Sequence, residues 1–168
     1  MSDITTPRDL FLHELGDILY VEQELAETSL PKLIDEVQDR EFKKGLEKHL
    51  KQTVQHAKNV EKVFGLLGEK PKAETCIGFE GLKKEQEKMA EEATGDLIDL
   101  VNTGAAARTE HYEIAAYQAL ITMARTLKQP KAVELLDRNL KDEKETLREV
   151  EKLGRRLTKE RARELQPV

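Results

Sequence analysis

The sequence predicts an all-α protein, an antiparallel bundle of four long helices with a short fifth helix in one long connection. Charged residues make up 36% of the 168 residues and aromatic residues only 4%. The prevailing residue types, Leu, Ala, Glu, Lys and Arg, are all strong helix formers. No sustained alternation of β-branched residues between turns indicates a strand.

Turn signals divide the chain into its helices. Thr6 and Pro7 supply a capping hydroxyl and a first-turn proline, so helix A is expected to begin there. Pro31 lacks a backbone donor and predicts a kink or short break over residues 27–31. Gly68 is the expected stop of helix B. The predicted helices, in one domain over residues 1–168, are A (7–37), B (39–67), a short helix (78–93), C (96–127) and D (131–157).

The lengths of the links predict the topology. Short A–B and C–D links force antiparallel hairpins, whereas the B–C link is long enough to contain its own helix. We expect this link to let helix C start at the same end as helix A and run parallel to helix B. A bundle with one such crossover has the ferritin-like topology.

Composition excludes several classes of function. A formal net charge of −5 argues against a general nucleic-acid binder. No segment approaches the ~20 consecutive apolar residues of a membrane span. The N-terminus lacks a basic segment followed by an apolar one, so a cytoplasmic location is expected. The single cysteine, Cys76, fits a reducing compartment. It has no basic neighbour, and so it is not predicted to be a nucleophile.

Acidic residues occupy helix positions that face the core. Residues three, four and seven apart share a helix face, and every such neighbour of Glu22 is apolar or small. The same test turns Glu110, Glu113 and Glu143 inward. On helix B, His56 shares its face with His49, Thr53, Val60 and Val63. Judged by distance from the turns, Glu22, His56, Glu110 and Glu143 fall near mid-bundle.

Converging buried carboxylates repel one another unless a cation lies between them. Oxygen-rich ligands with an imidazole suit iron or manganese, so the sequence predicts a mid-bundle metal site. Another interpretation stays open, in which the carboxylates are protonated or bonded to Tyr112, Tyr117, Gln118 or Arg108. We interpret His13 and His49 as packing or surface residues.

The chain resembles the YciE/YciF family, small bacterial stress-associated proteins with a ferritin-like, rubrerythrin-like fold. The resemblance covers most of the chain, and it rests on the segments DLFLHELGDILYVEQEL, HLKQTVQHAKNVEKVF, CIGFEGL, EHYEIAAY and LLDRNLKDEKET. It implies a ferritin-like bundle, a homodimer, and a di-iron, ferroxidase-like or peroxide-related role in stress, with O₂ or peroxide as substrate.

The resemblance also implies a ligand set. In ferritin-like carboxylate proteins two helices each supply one Glu and two supply Glu-x-x-His. Glu22 matches the first-helix Glu, and Glu110 or Glu113 the third-helix Glu. His56 and Glu143 fit the other two helices. The chain departs from the pattern where Glu and a second His are expected: at Gln52 or Thr53 in helix B, and at Thr146 in helix D.

These departures leave a two-metal site, a single-metal site, a site completed by both Glu110 and Glu113, and an empty polar core all open. Gln52, Thr53, Thr146 and Tyr117 are expected to surround the ligands. Two other functions also stay open. One is a non-catalytic helical dimer that serves as an interaction scaffold. The other is a mini-ferritin-like shell that stores iron or coats DNA, and the net charge counts against DNA.

Overall fold

The structure, a computed structural model, describes residues 4–164, and over this range it contains helices and no strand. Residues 1–3 and 165–168 of the predicted domain lie outside the described residues. None of the described helices combines the length and apolar character needed to cross a lipid bilayer. The helices are α1 (Pro7–Glu24), α2 (Leu30–Glu36), α3 (Arg40–Leu66), α4 (Ile77–Glu92), α5 (Ile98–Thr126) and α6 (Pro130–Glu164).

Helix A of the prediction is interrupted by a π-helical segment, Leu25–Ser29, that joins α1 to α2. Its hydrogen bonds reach back five residues, as from the Leu30 N–H to the Leu25 carbonyl. This wider turn accommodates Pro31, which has no N–H to donate. The interruption expected from Pro31 is therefore present. It is a wider, π-helical turn rather than a kink, and it begins at Leu25, two residues before the predicted stretch 27–31.

The first residues of α5 lie beside the turn between α2 and α3. The Asp99 carboxylate accepts hydrogen bonds from the backbone N–H groups of Gln38 at 3.1 Å and Asp39 at 2.8 Å. Helix α5 thus starts where α3 starts and runs parallel to it, as predicted for helices C and B. The expectation that helix C starts at the same end as helix A is wrong, because the crossover returns along the length of the bundle.

Helix α4 carries this return along the outside of α1. The Tyr20 hydroxyl donates to Glu80 at 2.8 Å, and the Lys83 ammonium contacts Glu24 at 2.7 Å. Because Tyr20 contacts Glu80 and the later residue Glu24 contacts the later residue Lys83, α4 runs parallel to α1. On its other side α4 packs against α5, where the Cys76 Sγ lies 2.9 Å from the Tyr112 hydroxyl.

Helix α6 continues past the predicted end at residue 157 to Glu164. Ion pairs hold part of the charged extension, since Arg156 contacts Asp39 at 2.7 Å and Glu160 at 3.0 Å. These contacts tie the extension to the α2–α3 turn.

The core has apolar layers toward both ends and a polar band across the middle. Phe11, Leu15 and Phe64 lie in one apolar layer, and Leu30 and Phe42 lie in the other. The buried polar band consists of Glu22, His49, Thr53, His56, Asn59, Glu110, Glu113, Asn139, Glu143 and Thr146, whereas the buried Asn102 and Thr103 lie near the start of α5. Such a band is costly unless its groups are paired or bind a cation.

Candidate metal centre

Three side chains from three helices form the first part of the polar band, here called the His56 group. Glu22 comes from α1, His56 from α3 and Glu143 from α6, and each is at most 1% exposed. His56 Nδ1 lies 2.7 Å from Glu143 Oε1 and 3.5 Å from Glu22 Oε1. One ligand atom from each residue lies within 4.8 Å of the others, so one ion can contact all three.

Four side chains form the second part, here called the His49 group. His49 comes from α3, Glu110 and Glu113 from α5, and Glu143 from α6, and all four are buried. His49 Nε2 lies 3.2 Å from Glu110 Oε1 and 3.9 Å from Glu143 Oε2. Their ligand atoms also lie within 4.8 Å of one another.

Glu143 belongs to both groups. Its Oε1 faces His56 and its Oε2 faces His49, which is the arrangement of a carboxylate that bridges two ions. Together the two groups contain four carboxylates and two imidazoles. Ferritin-like carboxylate centres use the same number of each ligand.

The donor atoms themselves fit cations. Several oxygens of these carboxylates are buried without a hydrogen-bond partner, namely Glu22 Oε2, Glu110 Oε2 and both oxygens of Glu113 and Glu143. His56 Nδ1 is in the same state, since its short contact with Glu143 lacks hydrogen-bonding geometry. Unpaired buried acceptors are expensive. Two divalent cations would balance the four negative charges, and so the residues present fit a two-metal centre.

Without a metal ion, burial and the proximity of like charges shift the pKa values of these side chains. Burial raises the pKa of Glu113 well above its ordinary value, and the negative charge of Glu143 adds to this. Burial likewise raises the pKa of Glu143, to about 8. Burial alone would lower the pKa of both histidines. The neighbouring carboxylates outweigh it and raise the pKa of His49 to about 9 and that of His56 to about 11.

Hydrogen bonds orient the outer nitrogen of each histidine. His56 Nε2 lies 3.3 Å from Asp142 Oδ2, and the Asp142 side chain is 37% exposed. His49 Nδ1 lies 3.3 Å from the Thr146 hydroxyl. Partners of this kind fix the ring orientation of metal-binding histidines. Each ring therefore presents its other nitrogen to the carboxylates.

A chain of polar side chains supports Glu22. The Tyr117 hydroxyl donates to Glu22 Oε1 and accepts from Asn139 Nδ2 at 2.9 Å. Asn139 also donates to the His56 carbonyl at 3.2 Å and accepts from Asn59 at 2.8 Å. Burial and the charge of Glu22 raise the pKa of Tyr117 well above its usual value, so Tyr117 stays a hydrogen-bond donor.

The structure brings together all five side chains that the sequence indicated as ligands: Glu22, His56, Glu110, Glu113 and Glu143. It adds His49, which we had interpreted as packing or surface. His49 is only 4% exposed, and its ring points into the centre. The available signal was its spacing of seven residues from His56, which places both rings on one face of α3.

The expected surrounding residues differ in their contacts. Tyr117 and Thr146 hydrogen-bond to group members. Among the described residues Gln52 and Thr53 have no such bond, and Gln52 Oε1 and Thr53 Oγ1 are buried without a partner. Tyr112 lies outside the centre and contacts Cys76.

The chain matches the sequence pattern of the family described as a domain of unknown function, DUF892, over residues 6–163. The chain belongs to this family. It is also 31% identical over 146 residues to protein YciF of Escherichia coli K12, which covers 86% of this chain and 87% of YciF. The resemblance to the YciE/YciF family is thereby confirmed.

Solved structures of similar proteins share the fold. The crystal structure of the E. coli stress protein YciF superimposes with a TM-score of 0.86 and 29% identity, covering 93% of this chain and 99% of YciF. YcfI of Rhodopseudomonas palustris, a suggested structural protein, gives a TM-score of 0.85 and 37% identity over 89% of this chain and 95% of its own. A Xanthomonas campestris protein, 21% identical with a TM-score of 0.73, shares the fold alone.

Proposed function

We propose that this DUF892 protein binds two ions of iron or manganese, one in the His56 group and one in the His49 group. The observation that supports this most strongly is Glu143, whose two buried oxygens lack hydrogen bonds and face separate histidines. Two cations there would satisfy the buried acceptors and balance four carboxylate charges. Oxygen-rich ligands with imidazole favour iron or manganese.

We further propose a ferroxidase-like or peroxide-related activity within a stress response. Bound reduced iron or manganese would supply electrons to O₂ or peroxide. Tyr117 holds a proton at its hydroxyl beside Glu22. Asp142, which is partly exposed, links the outer nitrogen of His56 to solvent, and this contact gives a route for protons to leave or enter. The proposed role in a stress response is based on the similarity to E. coli YciF, which is described as a stress protein.

A non-catalytic scaffold is the second candidate. It is favoured by the suggested structural role of the R. palustris relative and by the buried contact of Asn59 with Asn139, because such polar pairs can fix helix register. A cytoplasmic homodimer is compatible with both candidates and remains a proposal. Light scattering on the purified protein distinguishes a dimer from a monomer or a shell.

Iron oxidation tests the proposed activity. Protein loaded anaerobically with Fe²⁺ and then mixed with O₂ or peroxide should oxidise the metal at least about tenfold faster than Fe²⁺ in buffer. The rate is followed by stopped-flow absorbance with an oxygen electrode. Glu22→Gln should abolish most of this acceleration, whereas Glu134→Gln, an exposed change on α6, should leave it intact. Equal rates with and without protein would support the scaffold instead.

Metal binding should release protons and strengthen as the pH rises. In the metal-free centre Glu143, with a pKa of about 8, and His49, with a pKa of about 9, hold protons at neutral pH. A metal ion must displace these protons. Raising the pH removes that competition, so the Mn²⁺ affinity should increase by roughly tenfold per pH unit for each proton displaced. Calorimetry in buffers of different ionisation enthalpy measures both quantities. A pH-independent affinity would contradict the ligand assignment.

A further inference from the structure

A cavity of about 610 Å³ lies next to the metal centre, toward the end of the bundle that holds the α2–α3 turn. Its walls come from the π-helical segment, α2, α3, α4, α5 and α6. The volume falls within the ~300–1,000 Å³ typical of small-molecule sites. The proposed metal chemistry needs only O₂ or peroxide, and so it does not explain a space of this size.

The cavity is elongated along the helices and has largely apolar walls. Its lining extends from Glu41 to His49 on α3 and from Asn102 to Glu110 on α5. At ~1.5 Å per residue, each of these stretches is about 12 Å long. Between them lie aliphatic and aromatic side chains such as Leu46. A volume of about 610 Å³ over this length makes the space wider than one alkyl chain, so it suits a long alkyl chain that bends within it.

The inner end of the cavity is the metal centre. His49 and Glu110 line it, and they are 4% and 3% exposed. Glu113 and Glu143 do not line it and are 0% exposed. The His49 group therefore meets the cavity through two of its members, and a bound chain would end against them.

The rim of the cavity carries both paired and unpaired charged side chains. The four exposed carboxylates of the lining all have cationic partners: Glu36 and Glu87 contact Lys32, Glu149 contacts Lys48, and Glu41 contacts Arg156. Lys44 and Lys152 also line the cavity and are exposed. In the part of the chain that the structure describes, neither forms an ion pair with a carboxylate. The rim thus offers two lysines to an anionic headgroup.

We propose that this cavity binds a long-chain aliphatic carboxylate. Its carboxylate lies at Lys44 and Lys152, and its alkyl chain bends within the cavity toward His49 and Glu110. The inference depends on the lining and the rim, so binding does not require a metal in the centre. The two lysines without carboxylate partners favour an anionic amphiphile over a neutral apolar molecule.

Displacement of the fluorescent long-chain acid parinaric acid tests the proposal on the full chain, both metal-free and manganese-loaded. Palmitic acid should displace it at micromolar concentration. Hexanoic acid should be at least about 100-fold weaker, since each pair of lost methylenes costs about tenfold in affinity. Cetyl alcohol, with the same chain and no charge, should be weaker than palmitic acid. Failure of parinaric acid to bind either form would overturn the proposal.

Paired variants separate headgroup from chain recognition. Lys44→Glu with Lys152→Glu should weaken palmitic acid by about tenfold and cetyl alcohol far less. The matched control reverses two exposed lysines on the same helices that do not line the cavity, Lys51→Glu with Lys141→Glu, and should change neither. Ala106→Leu, which narrows the cavity, should weaken both ligands.

Metal content and solution mass complete the experiment. A protein that binds the acid but takes up no manganese when it is offered would leave this inference standing and reject the metal centre. A protein that takes up manganese but does not bind the acid would do the reverse. Equal palmitic acid affinity in the Lys44→Glu, Lys152→Glu protein and its control would overturn the assigned headgroup site. A change in solution mass of the Ala106→Leu protein, with acid affinity unaltered, would show that a second copy covers the cavity.

Discussion

Replacing Glu143 by Gln should empty both metal positions at once. Glu143 is the residue common to the His56 and His49 groups, with one oxygen facing each histidine. Gln keeps the size of the side chain but removes its charge and its ability to bridge two cations. We expect the affinity for both ions to fall by about 100-fold or more, since loss of even supporting contacts costs about 10–100-fold. Calorimetric titration with Mn²⁺ measures the change.

The neighbouring substitution Glu145→Gln is the matched control for Glu143→Gln. Glu145 lies on the same helix but is 43% exposed and contacts Lys48, so its variant should bind both ions as the wild type does. A single-metal site would behave differently in these titrations. If Glu143→Gln lost one ion and kept the other at full affinity, the shared role of Glu143 would be wrong.

Replacing Glu113 by Met should stabilise the metal-free protein and destabilise the metal-loaded protein relative to wild type. Glu113 is 0% exposed, and both its oxygens lack partners. Removing such a buried acid in favour of an unbranched apolar side chain should raise the free energy of unfolding by about 1–3 kcal/mol. With metal at about 1,000 times its Kd, the wild type should gain about 4.1 kcal/mol per site. The variant should lose this gain for the His49 group, and the loss exceeds the stabilisation that Met provides.

The stabilisation by Met should also depend on pH. Because the folded pKa of Glu113 lies well above the ordinary 4.5, wild-type folding without metal must take up a proton once the unfolded carboxyl has ionised. Wild-type stability is therefore lost as the pH rises from about 4.5 toward the folded value, and the advantage of Met grows over that window. Urea unfolding at several pH values measures this. Glu47→Met, an exposed change on α3, should shift stability by less than about 0.5 kcal/mol.

Some parts of this centre were predictable because they depend only on helix period. Glu22 and Glu143 each have neighbours at three, four and seven residues that place them in the core, and both are 0% exposed. Their comparable distances from the nearest turns placed both residues near mid-bundle. The antiparallel hairpins follow from short links, so convergence of these groups required no knowledge of packing detail.

The helix period places His49 on the same face as His56 but does not show that its ring takes the place of the second histidine of the ligand set. The familiar pattern expects the second imidazole from the fourth helix, where Thr146 stands. In the structure the Thr146 hydroxyl instead lies 3.3 Å from His49 Nδ1, and this contact turns the ring of His49 toward Glu110. The second imidazole thus comes from α3, whereas the pattern places it on α6. Only the relative rotation of α3 and α6 reveals this exchange.

Features that depend on how the helices pack against one another could likewise not be predicted from the sequence. Pro31 predicts an interruption, but whether the helix kinks, breaks or widens depends on how the next segment packs. The widening begins at Leu25, which also lines the cavity. The cavity arises from the spacing of several helices, and no local pattern encodes such spacing.

The most direct test is a crystal structure of protein grown with iron or manganese, with anomalous diffraction at the absorption edge of that metal and elemental analysis of the same sample. We expect about two ions per chain, one bound by Glu22, His56 and Glu143 and the other by His49, Glu110, Glu113 and Glu143. Fewer than about one ion per chain at saturating metal, or anomalous peaks away from both histidines, would contradict this expectation.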